Sequence, residues 1–261
     1  MHQHLARMTR DTVAREARTA VAIVPVGSIE QHGDHLPMVT DTFLVETVLE
    51  RALSLLGDEP ETYVVAPALP IGCSHHHLFA AAMSLRTDTL RAVLTDVCDS
   101  LVTSGFRRIV LVNGHGGNDE CISLAVKELV LRHSVTAAAC SYWNLHTAQP
   151  EKPDRVPGHA GWFETSMMLA AGPELVHTNR LSRMEADPLF DRSDMPGLVA
   201  QRSGEWARVG GVTDPSTDAS ADAGERLLAS HAAGLADALR WFAREDPPGD
   251  QRNSSMSTTR N

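Results

Sequence analysis

Apolar residues along this chain fall into two alternating patterns. Val21-Ala22-Ile23-Val24-Pro25-Val26, Thr62-Tyr63-Val64-Val65-Ala66-Pro67 and Arg108-Ile109-Val110-Leu111-Val112-Asn113 are short, nearly unbroken apolar runs. They read as strands buried on both faces of a parallel sheet, which need no polar alternation. Residues 135–142 add a fourth strand, ending at Ser141-Tyr142-Trp143. Between the strands the spacing becomes helical. Leu44, Val45, Val48, Leu49, Ala52, Leu55 and Leu56 predict a helix over 41–56, stopped by Gly57. Leu90, Val93, Leu94, Val97, Leu101 and Val102 predict another over 87–104, stopped by Gly105. Further helices are predicted over 8–18, 119–133, 161–171 and 217–244, with a Pro- and Gly-containing loop over 144–160 and an irregular polar segment over 181–215. The alternation predicts one domain, residues 1–244, built as an α/β sandwich on a mainly parallel sheet. Residues 245–261, rich in Pro, Ser and Thr, are expected to be disordered.

Composition narrows the function. Hydrophobic content of 43% and charged content of 21% are those of a soluble globular protein. The net charge of −10 comes with no basic patch, which argues against nucleic acid as a partner. No apolar run approaches the ~20 residues of a membrane span, and the N-terminal Met1-His2-Gln3-His4-Leu5-Ala6-Arg7 lacks the apolar core of a signal peptide. The four cysteines form no CxxC pair, so a reducing cytoplasm is expected. Histidine is abundant at 13 residues.

Many of these histidines sit in loops that follow strands. Gly27-Ser28-Ile29-Glu30-Gln31-His32-Gly33, closed by Asp41, follows the first strand. Asn113-Gly114-His115-Gly116-Gly117-Asn118 follows the third. Open α/β sheets bind ligands at such strand ends. A third motif, Gly158-His159-Ala160-Gly161-Trp162-Phe163-Glu164, leads into a helix. Each has an ordinary alternative: Thr40 or Asp41 as a helix cap, the Gly-rich turn as a plain connection, and Glu164 as a helix-dipole carboxylate. Together they offer Glu30, His32, Asp41, His115 and Glu164 as ligands. Three carboxylates among five ligands suit two divalent ions with one carboxylate shared, zinc first, with manganese or iron as alternatives. His159 and Glu164 are the catalytic candidates. His75, His76 and His77 read as residues of the site's mouth, with an extra ligand or plain surface polarity as alternatives.

These motifs resemble the creatininase (creatinine amidohydrolase) family. The matching segments are Val24 to Gly33, His35-Leu36-Pro37 with Thr40-Asp41, Asn113 to Asn118, and His159-Ala160-Gly161 with Glu164-Thr165-Ser166. Gly210-Gly211-Val212 with Asp214-Pro215, then Gly224-Glu225-Arg226, extend the resemblance. It implies a Rossmann-like α/β fold with a two-metal site at the sheet's C-terminal edge. Glu30 and His115 would hold one metal, His32 the other, and Asp41 would bridge. His159 would move a proton to the substrate's nitrogen. The resemblance departs at two positions. Gly117 stands where creatininase proper has a glutamate ligand, so Glu164 is assigned to the second metal. Arg155 stands where creatininase proper closes a tryptophan over its substrate, while Trp143 matches the other substrate-facing tryptophan. Substrate contacts are therefore expected from Trp143, Arg155, His76, His77, Gly116 and Gly117.

The resemblance implies hydrolysis of a C–N bond in a small amide, cyclic or linear, by a metal-bridging hydroxide, with creatinine itself a poor substrate. Arg155 would instead grip an anionic group. Alternatives are a peptidase or deformylase branch of the family and a metal-binding module without turnover. A ring-like homo-oligomer, a hexamer, is also implied, with 181–215 as the contact segment.

Overall fold

Five parallel strands form the central sheet of the computed structural model, which describes residues 2–57, 59–183, 189 and 200–245. In chain order the strands are β1 (His2–His4), β2 (Val21–Val26), β3 (Ile29–Glu30), β4 (Tyr63–Val65), β5 (Ala82–Met83), β6 (Arg108–Asn113) and β7 (Thr136–Ser141). The main sheet runs β1-β4-β2-β6-β7, and β3 with β5 makes a separate antiparallel ribbon. The helices are α1 (Arg10–Glu16), α2 (Thr40–Leu56), α3 (Thr87–Thr103), α4 (Asp119–Arg132), α5 (Trp162–Ala171), α6 (Glu205–Arg208) and α7 (Ala221–Ala243).

The period of two along each strand divides the core into two layers. Val21, Ile23, Tyr63, Val65, Val110 and Val112 face α2, α5 and α7. Ala22, Val24, Val26, Val64, Ile109 and Leu111 face α3 and α4. Pro25 lies inside a central strand at no cost to the ladder. Its carbonyl accepts from Leu69 N, so its missing N–H falls on the β4 side, beyond the point where β4 has ended. From β2 the chain moves outward to β4, then returns across the sheet to β6. The order therefore reverses between β2 and β6, whose ends pair at Val26 and Asn113. A ligand site belongs outside the carboxyl ends of strands at such a reversal.

The predicted helices are present, shifted by a few residues at their ends. The first spans 10–16 against 8–18, and the last begins at Ala221 because Ser220 caps it, accepting from Ala223 N at 3.2 Å. Strands β1, β3 and β5 were not predicted; each is two or three residues long, too short to show a period of two. Within the segment expected to be irregular, α6 is a short helix. Residues 184–188 and 190–199 of that segment, and the predicted tail beyond Glu245, lie outside the described residues. Among the described residues no helix is long and apolar enough to cross a membrane.

Candidate metal centre

Four chain segments converge at the β2/β6 reversal. The loop after β2 carries Glu30 and His32, and Gly33 turns it back with φ +64°. The first turn of α2 carries Asp41, the loop after β6 carries His115, and α5 opens with Glu164 in its first turn. All five residues are at most 6% exposed. The capping alternatives for α2 do not hold: its N-cap is Val39, which makes no side-chain cap bond, and Thr40 Oγ1 donates to Pro37 O. The Asp41 carboxylate instead spans two imidazoles. Its Oδ1 lies 3.1 Å from His32 Nε2 and its Oδ2 3.2 Å from His115 Nδ1. Around the first pair stands Glu164 Oε2, 3.7 Å from His32 Nε2. Around the second stands Glu30 Oε1, 3.3 Å from His115 Nδ1.

The far nitrogen of each imidazole is held by a backbone carbonyl. His32 Nδ1 donates to Glu30 O at 3.1 Å, and His115 Nε2 to Cys73 O at 3.1 Å. A carbonyl only accepts, so each ring turns its other nitrogen to the carboxylates, where a bound cation would take its lone pair. That is how metal-ligating histidines are oriented. Both Glu30 oxygens and Asp41 Oδ2 are buried without a hydrogen-bond donor. Such carboxylates are costly unless a cation neutralises them. Ligand atoms 2.0–2.2 Å from one zinc stand roughly 3.3 Å apart, the spacing found here. The donor set therefore fits divalent cations.

The electrostatics agree. Burial pushes Glu30 up to about 7, although His115 pulls the other way. Burial would depress His115, but Glu30 and Asp41 outweigh it and raise it to about 9. Burial likewise works against a charged His32, and Asp41 and Glu164 raise it well above the usual imidazole range. Asp41 is held low because His32 and His115 outweigh its own burial. The carboxylates thus demand positive charge between them.

His159 belongs to the same cluster. Its Nε2 donates to Gln31 O at 2.8 Å, which leaves Nδ1 as a lone pair 3.5 Å from Glu30 Oε1. Burial, then the neighbouring His32 and His77, keep this ring neutral. Ala160, between His159 and the helix that carries Glu164, is held at φ +53°. Its amide donates to Glu164 Oε2, and Trp162 N donates to Asp214 Oδ1. Asp214, in the C-terminal motif, thereby caps α5 and sets where Glu164 stands.

A cavity of about 790 Å³ opens onto the cluster. Trp143, His76, Gly116 and Gly117 line it. A side chain on Gly117 would overlap the Cys73 carbonyl and the His115 ring, so a glutamate has no room there in this loop. Two expectations are corrected. His77 is not at the mouth: it is fully buried, with its ring 4.2 Å from that of His159. Gln31 Nε2 donates to its Nδ1 at 2.8 Å, so the protonated Nε2 points at Glu30 Oε1 across 3.4 Å. Arg155 is not among the residues lining the cavity, because its guanidinium turns to Asp218, 3.3 Å away. The aromatic wall that the sequence did not reveal is Trp206 on α6. Its ring lies 4.8 Å from both His76 and His77 and 5.7 Å from His159. No motif surrounds Trp206; only the fold brings it to the cavity, beside Phe79.

Comparison with known proteins finds relatives along nearly the whole chain. The family profile described as creatininase, creatinine amidohydrolase, matches residues 6–239. The mycofactocin precursor peptide peptidase of Mycolicibacterium smegmatis is 35% identical over 92% of this chain and 94% of its own. The creatinine amidohydrolase of Pseudomonas putida is 32% identical over 89% and 94%. A solved manganese creatininase is 28% identical, covering 94% of this chain and 100% of that one at a TM-score of 0.73. A creatininase variant of Zn–Zn type is also 28% identical, covering 93% and 98% at a TM-score of 0.74. The sheet, the converging loops and the matched length lead to one assignment: this chain belongs to the creatininase family of amidohydrolases.

Proposed function

We propose that the chain is a two-metal hydrolase that cleaves the C–N bond of an amide, and that this amide lies within a peptide or a similarly extended molecule. One observation carries the metal assignment: Asp41 divides its two oxygens between two imidazoles, each fixed from behind by a carbonyl. Glu30, His115 and Asp41 Oδ2 would hold one cation; His32, Glu164 and Asp41 Oδ1 would hold the other. Zinc is the first candidate, then manganese, then iron. Bound there, the cations supply an activated water and polarise the amide carbonyl.

The protein's own groups do the rest. His159, neutral and with Nδ1 turned to the cluster, takes a proton and delivers it to the departing nitrogen. His77 turns its Nε2–H toward Glu30 across 3.4 Å without forming a hydrogen bond to it. Trp143, Trp206 and Phe79 give the cavity apolar walls that exclude water and hold the groups flanking the scissile bond.

Similarity to peptidases and a cavity far larger than a flat five-membered ring both favour an extended amide. No aromatic side chain closes from position 155, so creatinine should be held weakly. Metal-loaded protein, screened against short peptides, formamides, lactams and creatinine, should hydrolyse peptides and carry two metals per chain. Creatinine turnover of about 10 s⁻¹ or more, or full activity with one metal, would overturn this reading. Trp206→Ala should raise KM about tenfold for a peptide with an apolar residue beside the scissile bond, leaving kcat within about threefold. An unchanged KM would remove Trp206 from the substrate wall.

A ring-like hexamer in the cytoplasm completes the proposal. Light scattering should report a multiple of the 28.3 kDa chain mass, and a monomer would refute it.

A further inference from the structure

Far along α2 from Asp41, a second group of ligating side chains meets at the edge of the sheet. The N-terminal His2-Gln3-His4 forms edge strand β1, paired in parallel with β4. Residues two apart on a strand share a face, so His2 and His4 both turn toward α2. Glu50 on α2 receives them, one imidazole to each carboxylate oxygen. His2 Nε2 lies 3.8 Å from Oε2 and His4 Nε2 3.4 Å from Oε1. One ligand atom from each of the three residues lies within 4.8 Å of the other two.

We propose that His2, His4 and Glu50 form a further divalent-metal site, separate from the catalytic centre, which takes zinc or a similar imidazole-preferring ion. The spacing is the argument. An N–H donor bound directly to a carboxylate oxygen stands about 2.7–3.2 Å from it, and neither pair reaches that. Two ligands of a tetrahedral zinc, each about 2.0–2.2 Å from the ion, stand roughly 3.3 Å apart. The His4–Glu50 pair already has this spacing, and a small rotation of His2 brings the other to it. Two imidazoles and a carboxylate are a donor set suited to zinc, copper or nickel.

The surroundings are also built. The site borders a cavity of about 420 Å³ at the carboxyl ends of β2 and β4. Glu46, one turn before Glu50, lines the same cavity, as does Arg7. Burial, then Glu50, raises the Glu46 carboxyl above its usual range, while His4 pulls it the other way. An ion there would clamp the three-residue edge strand to α2. The clamp lies nine positions along that helix from Asp41, roughly 13 Å by helical rise.

The test uses the whole, metal-loaded protein. After dialysis to remove loosely held ions, it is titrated with Zn²⁺ by calorimetry, and separately with Co²⁺ while visible absorption is recorded. Wild-type protein should take up one equivalent more than His4→Ala or Glu50→Gln, with affinity at least tenfold weaker in either variant. Excess Zn²⁺, at a hundred times its dissociation constant, should raise the wild-type Tm by about 5 °C and leave the Tm of the variants unmoved. Neither variant touches the catalytic cluster, so hydrolase activity and tightly bound metal should be unchanged. Equal uptake by wild type and both variants, or no uptake beyond the tightly bound ions, overturns the site. Because the readout is the difference between wild type and variant, it stands apart from whether the catalytic centre holds one metal or two.

Discussion

Asp41→Ala is expected to lose both metals and to reduce kcat by about four orders of magnitude or more, a loss of at least ~5 kcal/mol of transition-state stabilisation. The reason is geometric. No other residue of the cluster offers one oxygen to His32 and the other to His115. His32→Ala removes a ligand from one side alone and should empty that position while the other retains its ion. Helix α2 should survive the Asp41 change, because Asp41 does not cap it, so unchanged far-ultraviolet dichroism accompanies the metal loss. The measurement is metal content of gently purified variants beside their activity. Asp41→Ala that keeps two ions per chain would show that the carboxylate is structural and would end the bridging assignment.

Gly224→Ala should lower stability by about 3 kcal/mol, the upper part of the range for overpacking, and Tm by roughly 6 °C. In an exposed helix the same change would stabilise by ~1 kcal/mol, so the sign itself is informative. Gly224 lies on the buried face of α7, where that helix meets α5. A methyl group there would overlap the Ser166 carbonyl and crowd Met167 N. These are backbone atoms, so no side-chain rotation relieves the contact and the two helices must separate. Because α5 carries Glu164, displacement should also weaken the ion shared by His32 and Glu164. Thermal unfolding with metal analysis checks both effects. A Tm within about 2 °C of wild type would mean that α5 and α7 tolerate wider separation than their packing suggests.

Much of this protein is set by its sequence alone. Unbroken apolar runs at 21–26 and 108–113 specify central strands, because a strand covered on both faces needs no polar alternation. Helical periodicity over 41–56 and 87–104 specifies the covering helices. The order of the strands and helices then selects a parallel α/β sandwich. Glu30, His32, Asp41, His115 and Glu164 were also legible, because each lies in or beside a loop, or in a helix's first turn, with a recognisable motif. The short edge strand β1 and the β3/β5 ribbon were not legible, since so few residues carry no period to read. Tertiary structure alone decided which oxygen of Asp41 faces which imidazole, and that His77 is buried beneath Trp206 and hydrogen-bonded to Gln31. It also decided that Arg155 turns away to Asp218, and that His2 and His4 meet Glu50. These are contacts between residues distant in sequence. Local propensity and spacing carry no information about them, because they depend on how strands and helices pack once the sheet has formed.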